Sequence, residues 1–136
     1  MASDRLWGNR KEKTVILDTS AIMMLFEFSI DLEDELNRLL GKHYVVVPGP
    51  VIRELRFLST HGKGNSSYKA KASLELVKKY ETANLDEDIK ADEAVFNLSQ
   101  QLAGVVVTND HGLRKKLKEA SLQVIYLRGK KKLVLE

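Results

Sequence analysis

The chain contains no cysteine. That absence excludes a disulfide framework, a thiolate metal site and a cysteine nucleophile, so any metal must sit on oxygen or histidine. Long apolar runs are also missing. The longest near the N-terminus, Ala21 to Phe26, is ended by Glu27, far short of the roughly 20 residues that span a bilayer. No secretory leader is recognisable, which leads to the expectation of a cytoplasmic protein. No G-x-S-x-G elbow occurs, which counts against a serine hydrolase. A phosphatase with an aspartyl nucleophile would carry a second acid two residues after Asp18, where Ser20 stands. A phospho-receiver would end a central strand in aspartate, but the run Tyr44 to Val47 ends in Pro48-Gly49-Pro50. His43, His61 and His111 have no ligand spacing and read as solvent or loop residues. Internal repeats and low-complexity tracts are absent.

What is present is one domain's worth of alternating elements. A chain of 136 residues buries about two-thirds of its unfolded surface in a single core. Residues 1–13 lack apolar periodicity and read as an N-terminal lead-in, with Leu6 and Trp7 available to dock on the body. Residues 14–136 read as the folded domain. Strands are expected at Val15 to Leu17, His43 to Val47, Val105 to Thr108 and Gln123 to Leu127, with a short edge strand at Leu133 to Leu135. Helices are expected at Thr19 to Phe28, Asp31 to Leu40, Val51 to Thr60, Ser67 to Thr82, Ala91 to Ala103 and His111 to Ala120. Pro48 and Pro50 suit a helix start, and Gly41 and Gly104 suit helix ends. The methionines of the first helix read as core. Strands alternating with helices predict an α/β fold, a three-layer α/β/α sandwich around a mainly parallel sheet.

The acids fall at informative places. Asp18 and Asp110 each follow a strand and precede a helix, where an aspartate serves either as an N-cap or as a site residue at the carboxyl end of the sheet. Glu54 shares a helical face with Val51, Leu55 and Leu58, and Asp92 shares one with Val95, Phe96 and Ser99, so both are expected to point inward. Two carboxylates about 4 Å apart repel by roughly 4 kcal/mol at an effective dielectric near 20. A cluster of four therefore favours a hard divalent cation, Mg²⁺ or Mn²⁺.

Charge is unevenly spread. Residues 81–110 hold seven acids against Lys90 alone, a net −6, whereas residues 111–136 hold eight bases against Glu119 and Glu136, a net +6. An acidic pocket beside basic surface suits an enzyme acting on a polyanion, although a merely solvated charged surface has the same composition.

Four segments resemble the PIN domain in content, order and spacing: Val-Ile-Leu-Asp18-Thr19-Ser20-Ala, Pro50-Val-Ile-Arg-Glu54-Leu, Ala-Asp92-Glu93-Ala, and Val-Val-Thr108-Asn109-Asp110 followed by Leu113 and Arg114. The closing Val124-Ile-Tyr-Leu-Arg128 is similar to the end of archaeal members. The resemblance covers about residues 14 to 135. It implies a metal-dependent nuclease, usually cutting RNA, with Asp18, Glu54, Asp92 and Asp110 as the catalytic acidic quartet and Ser20 and Thr108 as the supporting hydroxyls. Asp18, Asp92 and Asp110 are the metal ligands expected on this basis, with Glu54 orienting a water or helping a second ion. A metal-activated water would attack the scissile phosphate of single-stranded RNA in line, leaving a 5′-phosphate and a 3′-hydroxyl as the family implies. Arg53, Arg56, Lys63, Arg114, Lys115 and Lys116 are the candidate RNA-binding residues.

Within this reading the chain is either the toxin of a VapC-type toxin–antitoxin pair, with a cognate antitoxin as partner, or an RNA-processing nuclease, for which the basic C-terminal segment argues mildly. The competing class is an RNA-binding assembly subunit of ribosome maturation whose pocket holds metal but cuts little, working with a ribosome-assembly factor. The resemblance also implies a homodimer, with Asp31 to Leu40 and Ser67 to Thr82 as candidate surfaces. Neither the lead-in nor the Lys130 to Lys132 run is explained by the motif match.

Overall fold

The computed structural model describes residues 13–84 and 88–136. Residues 1–12 of the lead-in, with Leu6 and Trp7, and Asp86 and Glu87 ahead of the acidic helix, lie outside the described residues, whereas Lys13 belongs not to the lead-in but to the first strand, paired with His43. Continuous valine and leucine runs build the centre of the sheet. β1 (Lys13–Leu17), β2 (His43–Pro48) and β4 (Val105–Val107) are buried almost throughout, as strands covered on both faces must be. β3 (Glu81–Ala83), β5 (Val124–Arg128) and β6 (Lys132–Leu135) complete a six-stranded sheet of order β3-β2-β1-β4-β5-β6. Every pairing is parallel except β5 with β6, which form an antiparallel hairpin. Gly129, Lys130 and Lys131 form the turn of that hairpin, with Gly129 and Lys130 both at φ 68°, and Lys132 opens β6.

Six helices pack on the sheet: α1 (Thr19–Glu27), α2 (Leu32–Leu40), α3 (Gly49–His61), α4 (Asn65–Val77), α5 (Ala91–Leu102) and α6 (His111–Glu119). Connections from β1 to β2 to β3 run one way across the sheet, and those from β3 to β4 to β5 run the other. Since parallel crossovers are right-handed, the reversal puts helices on both faces, giving the α/β/α sandwich. The reversal point lies between neighbouring strands β1 and β4, paired from Val15↔Val105 to Leu17↔Val107. Crevices at such switch points, outside the carboxyl ends of the strands, are where open α/β sheets bind ligands. Asp18 and Asp110 follow these two strands.

The core is built from Ile16, Leu36, Leu55, Leu98, Leu117 and Ile125, all fully buried, with their neighbours. α2 is tied to the sheet edge by polar contacts as well. Glu35 accepts from Arg38 and from the Leu133 amide (2.7 Å), while Arg38 donates to the Leu133 carbonyl (2.7 Å).

Three expectations need correction. The helix expected to reach Thr82 ends at Val77, and Glu81–Ala83 pairs with Val46–Pro48 as β3; three residues are too few to show a strand period. Gly104 is not the left-handed residue that ends α5. Ala103 takes that conformation (φ 51°, ψ 44°), and Gly104 is needed for room, because a Cβ there would lie 2.7 Å from Ile16 Cδ1 and 3.1 Å from the Thr14 carbonyl. His43 is not a solvent histidine. Its side chain is 6% exposed, with Nδ1 2.8 Å from the Gly41 carbonyl and Nε2 3.0 Å from Glu33.

Candidate active site

β1 delivers Asp18 into the switch-point crevice. Its backbone is extended and stands at the N-cap position of α1, yet its side chain caps nothing. Oδ2 instead accepts the hydroxyls of Ser20 (2.9 Å) and Thr108 (2.7 Å). Thr108, fully buried at the end of β4, also accepts the Asp110 amide at 3.1 Å. One hydroxyl thus sets both strand-end acids. Asp110 resolves its ambiguity the other way: Oδ1 accepts the Leu113 amide at 2.9 Å, so it is a true N-cap of α6 that also lines the cleft. Asn109 stitches the neighbouring strand to this corner by accepting the Leu127 amide at 2.9 Å.

Asp18 is only 5% exposed. Burial pushes its carboxyl pKa up, the hydroxyls of Thr108 and Ser20 pull it down, and the charge of Glu54 adds to the rise. Among the described residues no ion pair to Asp18 occurs within 4 Å. A buried carboxylate held only by neutral donors is costly to ionise, a cost that either a proton or a cation in the cleft relieves.

Above Asp18 opens a cleft of about 750 Å³ lined also by Ser20, Glu54, Asp92 and Asp110. Four separate segments therefore supply its four carboxylates. The inward orientation expected of Glu54 on α3 and Asp92 on α5 is not found: both are solvent-exposed and line the open cleft, where water screens their charge. Asp92, in the first turn of α5, also accepts the amide of the next residue, Glu93, on Oδ1 at 2.9 Å. Among the described residues, no three acid or histidine side chains are gathered closely enough to hold a metal ion outright. In kind, though, the donors fit: an all-carboxylate cleft without histidine suits a hard cation such as Mg²⁺, which keeps several waters in its shell.

The expected RNA contacts divide. Arg53 lines the cleft, its guanidinium fixed by a 2.9 Å bond to the Ile89 carbonyl. Arg56 lies in a separate groove with Lys71 and Lys78. Lys63, in the α3–α4 loop, and Lys115, on α6, are exposed but do not line the cleft. Arg114 departs furthest from expectation. It packs 3.7 Å above the Tyr126 ring, reaches Glu136 at 3.7 Å, and has its Nε buried without a partner among the described residues. Lys116 sits 4.5 Å over the Phe96 ring. Both are engaged with the protein itself. Sequence reasoning missed Lys90, Phe57 and Met23, which do line the cleft; the solitary cation in an otherwise acidic segment was the available signal for Lys90.

A family model described as "PIN like domain" matches residues 15–130. The chain belongs to this family. Two relatives extend the match. "Ribonuclease VapC4" of Methanocaldococcus jannaschii is 31% identical over 121 residues, 86% of this chain and 92% of the relative. "Ribonuclease VapC9" of Archaeoglobus fulgidus is 25% identical over the whole chain and 98% of the relative. Among solved structures, the PIN domain endonuclease Utp24 superposes with a TM-score of 0.73 at 21% identity, covering 90% of each chain. VapBC-5 from Mycobacterium tuberculosis, a member of the VapBC family of toxin–antitoxin systems, gives 0.57 at 20% identity, covering 85% of this chain and 98% of that one. These structures establish the PIN fold for the sheet and helices described above. No helix among the described residues is long and apolar enough to cross a membrane.

Proposed function

We propose that this PIN-like protein is a metal-dependent endoribonuclease that hydrolyses phosphodiester bonds of single-stranded RNA. The observation that carries the reading is the convergence of Asp18, Glu54, Asp92 and Asp110 on one cleft at the sheet's switch point, supported by the two relatives named ribonucleases. Asp18, Asp92 and Asp110 would hold Mg²⁺ or Mn²⁺. When bound, the ion supplies a lowered water pKa and neutralises charge on the phosphate.

The chain's own residues do the rest. Thr108 and Ser20 hold the Asp18 carboxylate in one orientation, so that it is presented to the cleft without rearrangement. Glu54, beside Asp18 and exposed to the cleft, accepts a proton from the attacking water and orients it. Arg53, pinned by Ile89, and Lys90 bind the substrate backbone at the rim, where their charge offsets repulsion between the acids and RNA phosphates. Arg56, Lys63 and Lys115, exposed outside the cleft, would contact only more distant backbone.

The relatives' names and the VapBC structure favour the toxin role within this reading, with a small cognate antitoxin as partner and a homodimer as the assembled state. Light scattering that gives the monomer mass at micromolar concentration would count against the dimer.

The test is cleavage of an end-labelled single-stranded RNA by wild type and Asp92→Asn in Mg²⁺, Mn²⁺ and EDTA. Cleavage that requires metal and is lost in the variant is expected. Tight RNA binding without turnover in any metal would sink the nuclease reading in favour of an assembly subunit.

A further inference from the structure

A lone exposed apolar side chain is ordinary, but one that lines a candidate active-site cleft bears on what the cleft can hold. Among the described residues three stand out, Phe26, Phe57 and Tyr68, and of these Phe57, at 58% exposure, is the one that lines the acidic cleft. Its ring is held in place. His61, one helical turn on, stacks against it with centroids 4.3 Å apart and planes 13° from parallel. His61 is itself fixed through Nδ1, which lies 2.8 Å from the Thr60 hydroxyl and 3.2 Å from the Phe57 carbonyl. The pair is a rigid, solvent-facing aromatic surface.

Its position along α3 gives that surface a use. Phe57 follows Arg53 by four residues and Glu54 by three, so the ring lies about one turn along α3 from both the cation and the carboxylate, and all three line the cleft. A phosphate held at Arg53 beside Glu54 leaves the base of the adjoining nucleotide within reach of the ring. Apolar packing does not explain the exposure, since Leu55 on the same helix fills the core and Phe57 is directed away from it.

We propose that Phe57, backed by His61, is a stacking platform for an unpaired base next to the scissile phosphate. The proposal rests on the ribonuclease reading and adds to it the feature that selects single strands. Aromatic stacking accepts any base, because every base has a π face, and it excludes duplex, whose bases are already stacked and paired.

The experiment measures binding of a short RNA carrying 2-aminopurine, whose fluorescence is quenched on stacking, to the full chain in Mg²⁺. An Asp92→Asn background keeps the substrate intact. Single-stranded RNA is expected to bind with quenching. Phe57→Ala should weaken that binding about tenfold and abolish the quench while leaving the weak duplex affinity unchanged. Phe57→Trp should restore both. Equal single-strand affinity with the quench intact in Phe57→Ala would overturn the platform and leave the nuclease reading standing. So would an equal loss of single-strand and duplex binding, which signals general damage. Failure of the parent protein, with Phe57 intact, to bind any RNA would overturn both.

Discussion

Thr108 donates its hydroxyl to Asp18 Oδ2 at 2.7 Å across 90 positions of sequence, and its Oγ1 accepts the Asp110 amide. A hydroxyl can donate once and still accept, so one buried side chain joins the ends of β1 and β4 and sets both acids. Thr108→Val keeps the shape and removes both bonds. Stability is expected to fall by about 1–3 kcal/mol, because the Asp110 amide and a buried carboxylate each lose a partner. If Asp18 holds the ion as proposed, cleavage should fall about 10- to 100-fold, the usual effect of losing a group that orients a metal ligand. Thr108→Ser, which keeps the hydroxyl, should retain most of the activity. Urea unfolding and RNA cleavage on the same preparations check both statements.

Asp18→Asn is expected to stabilise the fold while abolishing cleavage. Burial raises the Asp18 pKa in the folded state above its unfolded value. The folded form therefore holds the proton more tightly, and Asp18 favours folding at low pH. That contribution is lost as pH rises through the folded pKa, so at pH 7 the ionised carboxylate is a net cost. Removing the charge should gain about 1 kcal/mol, roughly 3–5 °C in Tm for a domain of this size. Millimolar Mg²⁺ should raise the Tm of wild type but not of Asp18→Asn, since a ligand stabilises only the state that binds it. A variant that melts lower than wild type in EDTA would contradict this account.

At the end of α5 two neighbouring positions are expected to respond in opposite directions. Ala103 holds φ 51°, a left-handed conformation that costs an L-residue roughly 1 kcal/mol, and Ala103→Gly should recover about 0.5–1 kcal/mol of it. Gly104→Ala forces a Cβ against Ile16 and the Thr14 carbonyl and should cost about 1–3 kcal/mol by overpacking. Shifts in the urea midpoint, up for the first and down for the second with an unchanged slope, are the check.

Much of this was legible from the chain because the buried strands are short runs of valine and the site acids sit where those runs stop. Asp18 and Asp110 are found at β-strand ends by pattern alone. The three-residue β3 was not legible: Glu81, Thr82 and Ala83 have no period, and their strand exists because Val46, Val47 and Pro48 offer an unpaired edge. Nor could the fate of the basic residues be read, since spacing cannot distinguish Arg53, which faces the cleft, from Arg114, drawn onto Tyr126 and Glu136. Phe57 was hidden for the converse reason, as an aromatic on a helix is ordinarily core.

Acid sensitivity should come from α2 and not from the site. Burial works against the charge of Glu33, but hydrogen bonds from Tyr80 and His43, with the nearby charge of Lys79, outweigh it and hold the pKa below the usual carboxylate value. For Glu35 the Arg38 hydrogen bond leads, opposed by burial and aided by the Leu133 amide. Both folded pKa values are depressed, so both contributions are present above the unfolded carboxylate pKa of about 4.3 and are lost as pH falls through the folded values. Glu33 is 40% exposed, so solvent screening keeps its share below about 1 kcal/mol. Glu33→Gln with Glu35→Gln should be less stable than wild type at pH 7 and lose less on titration from pH 5 to pH 3. Asp18 acts with the opposite sign, gaining stability from its proton over the acid range and so masking part of the loss. Asp18→Asn should therefore steepen the fall of Tm with acid even as it raises Tm at pH 7; parallel curves for the variant and wild type would remove Asp18 from the balance.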